Sequence, residues 1–172
     1  MSGALGKIHA KLGIPADYGP ARGLRPHREA VRLVSIGRAV DDNKILRLTP
    51  RAAAAWKRLQ AAATRDGITL LPLSGFRSIA RQTEIIRAKI AAGQSLPAIL
   101  QVSAAPGYSE HHTGRALDLG TPGHFKLDES FAKTAAFRWL RRHAAKFGFH
   151  LSYPRHNPHN ITYEPWHWCY GR

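Results

Sequence analysis

The chain contains a single cysteine, Cys169, and a single methionine among its 172 residues. One thiol excludes an intramolecular disulfide and says little about the cellular compartment. No apolar run approaches the roughly 18 residues of a membrane-spanning helix, and we expect a soluble protein without a membrane span. The first ten residues also lack the apolar core of about seven residues that a signal peptide needs. From the sequence we therefore expect a cytoplasmic protein, or one exported by another route.

Acidic residues are scarce, because the chain contains 11 Asp and Glu but 26 Lys and Arg, which gives a formal charge of +15. Such an excess suits a polyanionic partner. The basic residues are nevertheless spread from Lys7 to Arg172 without a long block or a nucleic-acid-binding motif. We therefore expect no specific nucleic-acid partner. The length suits one domain with a proper core, and we expect a monomer.

The stretch Ser-Glu-His-His-Thr-Gly-Arg-Ala-Leu-Asp at 109–118 combines a histidine and a carboxylate in a loop that runs into a strand. Strand alternation puts Ala116 and Asp118 on the same face. The small Ala116 leaves room for an ion beside Asp118, and Gly114 permits a tight turn after His111. We predict that His111 and Asp118 bind a metal ion.

The motif Glu-Pro-Trp-His-Trp at 164–168 supplies a third candidate ligand, His167. Two histidines and one aspartate suit a catalytic zinc site, in which the fourth position is kept for water. We therefore predict one Zn²⁺ per chain, with Glu164 free to act as the base. Residues three apart in a regular strand face opposite ways, so we predict that Pro165 breaks the strand between Glu164 and His167.

Other histidines and the cysteine offer weaker alternatives. His156 and His159 lie in a loop where isolated histidines are usually solvated, and neither has a positioned carboxylate. Cys169 lies two residues after His167, but a small buried residue explains it better than a ligand or a nucleophile. We interpret His112 as a neighbour of the site.

These motifs resemble a known family. The pattern S-x-H-x-x-G-x-A-x-D, preceded by Ser-Gly-Phe-Arg-Ser at 74–78 and followed by Glu-Pro-Trp-His-Trp, is similar to the zinc D-alanyl-D-alanine carboxypeptidases of the VanY kind. The wider group includes D-Ala-D-Ala dipeptidases, phage L-alanyl-D-glutamate endopeptidases and the zinc fold of hedgehog signalling domains. The resemblance covers residues 45–170, and the motifs occur in the same order as in the family.

The resemblance implies a role for each matching residue. The zinc ligands are His111, Asp118 and His167, the general base and acid is Glu164, and the substrate-orienting cation is Arg77. Arg77 either grips the terminal carboxylate of the substrate or steadies the developing oxyanion. The resemblance permits both roles, and we favour the first.

Three further residues are candidates for contact with the substrate. Gln82 matches a position that the family uses near substrate. Ser109 either hydrogen-bonds substrate or shapes its loop. Of Trp166 and Trp168, we expect one to wall the site and the other to pack, and we assign Trp166 to the substrate.

The implied substrate is the D-Ala-terminated stem peptide of peptidoglycan, which would place the enzyme in the cell envelope or periplasm. Anionic envelope polymers would then be the counterpart of the positive charge. Two rivals remain, a lysis-type peptidoglycan endopeptidase and a non-catalytic, zinc-containing wall-binding module. Glu164, which is not a predicted ligand, argues against the non-catalytic module. The depth of the pocket would distinguish a carboxypeptidase from an endopeptidase.

Helical and strand patterns alternate irregularly, which indicates an α+β fold with a small, mostly antiparallel sheet, as in the hedgehog and D-Ala-D-Ala peptidase fold. Residues 1–48 are interpreted as an arm, mostly extended with one short helix, packed on a zinc peptidase domain at 49–172. Helices are predicted at 52–63, 79–92, 95–101 and 129–147. Strands are predicted at 68–73, 115–119, 149–153 and 161–169.

Overall fold

The computed structural model describes residues 3–40 and 43–171, which form a mixed fold of helices and two antiparallel sheets. The α-helices of this part are α1 (Gly3–Leu12), α2 (Tyr18–Ala21), α3 (Pro50–Arg65), α4 (Ile79–Ala91), α5 (Leu96–Val102) and α6 (Ala135–His143). The strands are β1 (Val34–Arg38), β2 (Ile45–Leu48), β3 (Leu71–Ser74), β4 (Ala116–Gly120), β5 (Phe149–Leu151) and β6 (His167–Tyr170). Short 3₁₀ helices occupy Glu110–Thr113, Glu129–Lys133 and Ala144–Phe147. Within the described ranges, no helix has both the length and the apolar character needed to cross a membrane.

The main sheet brings the three motifs side by side. Its strand order is β3-β4-β6-β5, and every neighbouring pair is antiparallel. On the central β4, Asp118 pairs with Ser74 of β3 on one side and with His167 of β6 on the other. This confirms the predicted α+β class, and the register explains how residues far apart in sequence meet.

Helix α3 forms as predicted and provides much of the main core. Thr49 occupies the N-cap position and Pro50 the first turn, while Gly67, at φ +71°, follows the end of the helix. Its predicted apolar stripe is fully buried against the sheet and α6, at Trp56, Leu59 and Ala63.

The prediction of one helix at 129–147 is wrong, because the segment consists of a 3₁₀ turn, α6 and a second 3₁₀ turn. Thr134 has an extended backbone at ψ 158°, and its hydroxyl accepts a hydrogen bond from the amide of Phe137 at 3.1 Å. A threonine that caps a new helix competes with continuation of the preceding one. The apolar spacing across Thr134 concealed this break.

The strand predicted at 161–169 is also wrong for most of its length, because β6 begins only at His167. The preceding residues are irregular and end in a turn, in which the amide of His167 donates to the carbonyl of Glu164 at 3.1 Å. The predicted interruption at Pro165 is therefore present, but it is a turn rather than a distorted strand. The strands predicted at 68–73 and 149–153 are each shorter in the structure.

The N-terminal segment has more regular structure than the predicted extended arm, since it contains α1, α2 and the β1-β2 hairpin. Leu12, Ile14 and Tyr18 share a second core with α4 and α5. The segment also contacts the loop that carries the predicted ligand, because the amide of Ala30 donates to the carbonyl of His112 at 2.8 Å. The domain division after residue 48 stays a prediction.

Candidate active site

A cleft of about 650 Å³ opens beside β3, β4 and β6. Its lining includes the predicted ligands and base, His111, Asp118, Glu164 and His167. The lining also includes the predicted substrate-contacting residues, Arg77, Gln82, Ser109 and Trp166. The structure therefore gathers all eight predicted residues at one place.

Asp118 lies between the two histidines of the predicted metal site. Its Oδ2 atom is 3.2 Å from Nε2 of His111, and its Oδ1 atom is 3.1 Å from Nδ1 of His167. One potential ligand atom from each residue lies within 4.8 Å of the other two. All three side chains are buried, and such a compact His-Asp-His group has the composition of a catalytic zinc site.

The hydrogen bonds around the histidines aim their lone pairs at the carboxylate. Nδ1 of His111 lies 2.7 Å from the carbonyl oxygen of Gly75, which only accepts, so Nδ1 donates and the neutral ring has its lone pair on Nε2. Nε2 of His167 donates to Oε2 of Glu110 at 2.9 Å, which leaves the lone pair on Nδ1. With both rings neutral, the two lone pairs face Asp118, so the site favours a cation there, either a proton on Nδ1 of His167 or a metal ion. The donor set therefore fits a divalent metal.

Glu110 is a functional residue that the sequence reasoning missed. Besides accepting from His167, its Oε2 atom accepts a hydrogen bond from the hydroxyl of Ser152 at 2.6 Å. Burial alone would raise the pKa of Glu110, but hydrogen bonds and charge from His167 lower it to about 2. Glu110 thus stays ionised and fixes the ring of His167 as carboxylates commonly do behind metal-bound histidines. Its position directly before His111 in the motif is the feature of the sequence that could have indicated this role.

A second group of potential metal ligands lies behind the first and consists of Glu110, His150 and Cys169. Burial, followed by the negative charge of Glu110, raises the pKa of the Cys169 thiol well above its ordinary value. Metals bind the thiolate form, so this environment disfavours a metal there. Cys169 is buried in β6 as a small core residue, which agrees with its interpretation from the sequence.

The charge balance of the cluster couples metal binding to proton release. Burial alone would raise the pKa of Asp118, but the charges and hydrogen bonds of His111 and His167 hold it below its ordinary value. Burial alone would lower the pKa of His167, but hydrogen bonds to Asp118 and Glu110 raise it to about 10. A proton is therefore favoured on His167, and a metal that binds at Nδ1 must displace it.

Glu164 stands beside the cluster without joining it. Its Oε2 atom is 3.9 Å from Nδ1 of His167, and its backbone amide donates to the carbonyl of Tyr153 at 3.1 Å. Burial raises the pKa of Glu164 to about 7, with His167 opposing and Asp118 reinforcing the shift. A carboxyl group with a pKa near neutrality suits general base and acid catalysis.

Arg77 is held firmly at the edge of the cluster. Its guanidinium donates to Oε1 of Gln82 at 2.9 Å and to the hydroxyl of Ser74 at 3.2 Å, and it lies 3.7 Å from Oδ2 of Asp118. His112 supports the backbone, because its Nδ1 donates to the carbonyl of Arg77 at 2.6 Å while its Nε2 accepts from the amide of Gly107 at 3.0 Å. His112 is thus a supporting neighbour and lies outside the ligand group.

The remaining candidates differ in their surroundings. Gln82 is only 1% exposed, and its amide nitrogen donates to the carbonyl of Ala104 at 2.7 Å, so its contacts position Arg77 and the opposite loop. Trp166 lines the cleft and also packs against the core that contains Trp168. Substrate contacts of Gln82, Ser109 and Trp166 stay predictions.

The rival histidines lie outside the cluster. His156 is exposed, and Nδ1 of His159 lies 3.0 Å from the carbonyl oxygen of Arg22. Among residues 3–40 and 43–171, neither belongs to a group with metal-binding geometry.

The position of Glu110 leads to a prediction about zinc affinity. Glu110→Ala should weaken zinc binding by about 10- to 100-fold, as removal of such supporting carboxylates usually does. Glu110→Gln should retain most of the affinity, because its amide oxygen still accepts from His167. Competition titration with a chromophoric chelator measures both constants. Unchanged affinity in Glu110→Ala would show that other contacts hold the ring.

A buried His-Asp-His group with a separate carboxylate and a guanidinium beside it, on the wall of an open cleft, is an arrangement typical of metal-dependent hydrolases. The VanY family, described as D-alanyl-D-alanine carboxypeptidase, matches residues 45–172. The chain belongs to this family of peptidases.

Individual relatives agree with the assignment. A putative carboxypeptidase, YodJ of Bacillus subtilis, is 33% identical over 170 residues, which are 96% of this chain and 59% of that protein. The chain thus spans about three fifths of the length of that relative. The structure of the LdcB LD-carboxypeptidase is similar with a TM-score of 0.74 and 32% identity, over 84% of this chain and 70% of that one. The vancomycin resistance D,D-pentapeptidase VanY, as an E175A mutant in complex with Zn(II), has a TM-score of 0.66 and 27% identity, over 86% and 82%.

Proposed function

We propose that this protein is a zinc carboxypeptidase that removes the terminal D-Ala from peptidoglycan stem peptides. The single observation that carries the proposal is the convergence of His111, Asp118 and His167, with Glu164 3.9 Å from His167, in a chain of the VanY family. The Zn(II) complex of the similar VanY structure supports zinc as the metal. The cell envelope is the corresponding place of action, and its anionic polymers suit the charge of +15.

The proposed chemistry assigns one task to each residue. A zinc ion held by the His-Asp-His group would acidify a water molecule and polarise the scissile carbonyl. Glu164 accepts the proton of the attacking water and returns it to the leaving amine. Arg77, fixed by Gln82 and Ser74 close to Asp118, donates to the oxygen on which negative charge develops. This position beside a predicted ligand supports the oxyanion role over the terminal-carboxylate role that we favoured from the sequence.

A second candidate activity is removal of D-Ala that follows an L-configured centre. The similarity to the LdcB LD-carboxypeptidase, with the higher TM-score, favours this alternative. A lysis-type endopeptidase would instead need a cleft that accepts chain on both sides of the scissile bond. A non-catalytic zinc module would not need the raised pKa of Glu164.

Mass spectrometry of muropeptides after digestion with the zinc-loaded protein tests the proposal. We expect pentapeptide stems to lose one alanine, because the D-Ala-D-Ala bond is the family's target. Tetrapeptide stems in the same digest serve as the internal comparison. Loss of alanine from the tetrapeptide alone would favour the LD activity, and release of a longer stem fragment would favour the endopeptidase. Unchanged muropeptides in the presence of bound zinc would contradict a peptidase.

A further inference from the structure

We propose that Lys89 binds the C-terminal carboxylate of the substrate, and so makes the cleft selective for peptides with a free end. The inference rests on the proposed function, since it names the part of the stem peptide that this end of the cleft holds. It also separates two cations, with Arg77 at the reacting carbonyl and Lys89 at the terminus.

Lys89 extends the row of site residues along α4. Gln82, Ile85 and Lys89 all line the cleft, and their spacing places them on one face of the helix. Arg77 lies just before this helix, which begins at Ile79. The face of α4 therefore leads from the metal site at its N-terminal end to Lys89 near its C-terminal end.

The ammonium group is anchored at the cleft wall. Nζ of Lys89 donates to the hydroxyl of Ser103 at 2.9 Å. The next residue, Ala104, accepts the hydrogen bond from Gln82 that was described above. A polar wall thus runs from Arg77 through Gln82 and the 103–104 loop to Lys89. An ammonium held in this way is presented to the cleft instead of being free in solvent.

The two arginines near Lys89 each lie close to a carboxylate, and Lys89 differs from them in this respect. Arg77 lies 3.7 Å from Asp118, and Arg81 lies 3.0 Å from Glu84. Within the part of the chain that the structure describes, no carboxylate oxygen lies within 4.0 Å of Nζ of Lys89. Burial, and then the charge of Arg77, lower the pKa of Lys89, while Glu164 raises it. A half-buried cation is stabilised by an anionic partner, and a substrate carboxylate would provide one.

A free carboxylate is the chemical feature that separates the end of a peptide from its interior. A cation placed along the cleft from the metal site increases the affinity for a substrate that ends there. The reason is that a charge-assisted hydrogen bond to a carboxylate is stronger than one to a neutral amide. Lys89 therefore supports removal of a terminal residue over cleavage within a chain.

Equilibrium binding tests this assignment without turnover. The zinc-loaded Glu164→Gln protein is titrated calorimetrically with a pentapeptide ending in D-Ala-D-Ala, once as the free acid and once as the C-terminal amide. We expect the acid to bind about tenfold or more tightly, the range of a hydrogen bond between charged groups. Adding Lys89→Met, which keeps an unbranched side chain of nearly the same length, should abolish most of this preference, and Lys89→Arg should retain it.

Arg81→Met in the same background is the matched control. It removes one positive charge from the same helix and the same cleft, but from an exposed side chain that already pairs with Glu84. The acid preference should survive it, which separates local binding from general electrostatic attraction. Zinc content and thermal melting are measured for each variant, so that a folding defect is recognised.

The outcomes separate this inference from the proposed function. An unchanged acid preference in Lys89→Met, or no acid preference in the parent, would overturn the role of Lys89 even if the wild type trims stem peptides. Conversely, a preference that disappears with Lys89→Met would sustain the carboxylate site, even if the wild type left muropeptides unaltered and the proposed function failed.

Discussion

Replacement of Glu164 by glutamine should leave zinc bound and lower kcat by at least about a hundredfold, the usual contribution of a general base. Glutamine keeps the shape of the side chain but cannot accept the proton of the attacking water. The carboxylate lies 3.9 Å from His167 and outside the ligand group, so its loss should not empty the site. Steady-state kinetics on a D-Ala-D-Ala pentapeptide and elemental analysis of the same sample provide the two measurements.

Glu129→Gln is a suitable control for this substitution. Glu129 is an exposed carboxylate that pairs with Arg155 at the surface, at 2.6 Å, so the same chemical change there should leave turnover near wild type. Activity near wild type in Glu164→Gln would remove Glu164 from the mechanism. Loss of zinc together with activity would instead make it a ligand.

Alanine at His111, Asp118 or His167 should weaken zinc binding by more than about a hundredfold, beyond the effect of supporting residues. Each substitution removes a direct donor from a group whose potential ligand atoms lie within 4.8 Å of one another. The wild-type protein should hold about one zinc per chain. Elemental analysis after dialysis against buffered zinc measures the content of every variant.

His156→Ala and His159→Ala are the controls for the ligand assignment. Both residues belong to the loop after β5 and lie outside the cluster, so zinc content should not change. Full zinc retention in His111→Ala, combined with loss in either control, would show that the metal binds elsewhere.

The site could be predicted largely because its chemistry is concentrated in short motifs. The alternation that places Ala116 and Asp118 on one face is a local property of a strand, and both residues lie in β4, where they are buried. The break at Pro165 also follows from local chemistry, since proline lacks the amide that a strand ladder needs. Pairing of Asp118 with His167 then required that the two strands be neighbours in one sheet and in the observed register.

Other features depend on contacts between distant segments and were not predictable from one sequence. Ser152 reaches Glu110 only because β5 pairs with β6 beside the site. The anchor of Lys89 depends on the loop that brings Ser103 to α4. Thr134 ends one turn and begins another because its side chain competes for a backbone amide, and regular apolar spacing does not reveal that competition.

The pairing of Asp118 with His167 also has a consequence for folding. These residues are separated by 49 positions in the sequence but face each other on adjacent strands. A metal that joins them closes this long loop and opposes separation of β4 from β6, as a cross-link would, with a benefit that grows slowly with loop length. Because only the native strand register presents both ligands, the metal would also select that register from its alternatives. The metal ion would thus stabilise the central strand pair of the sheet in addition to its proposed role in catalysis.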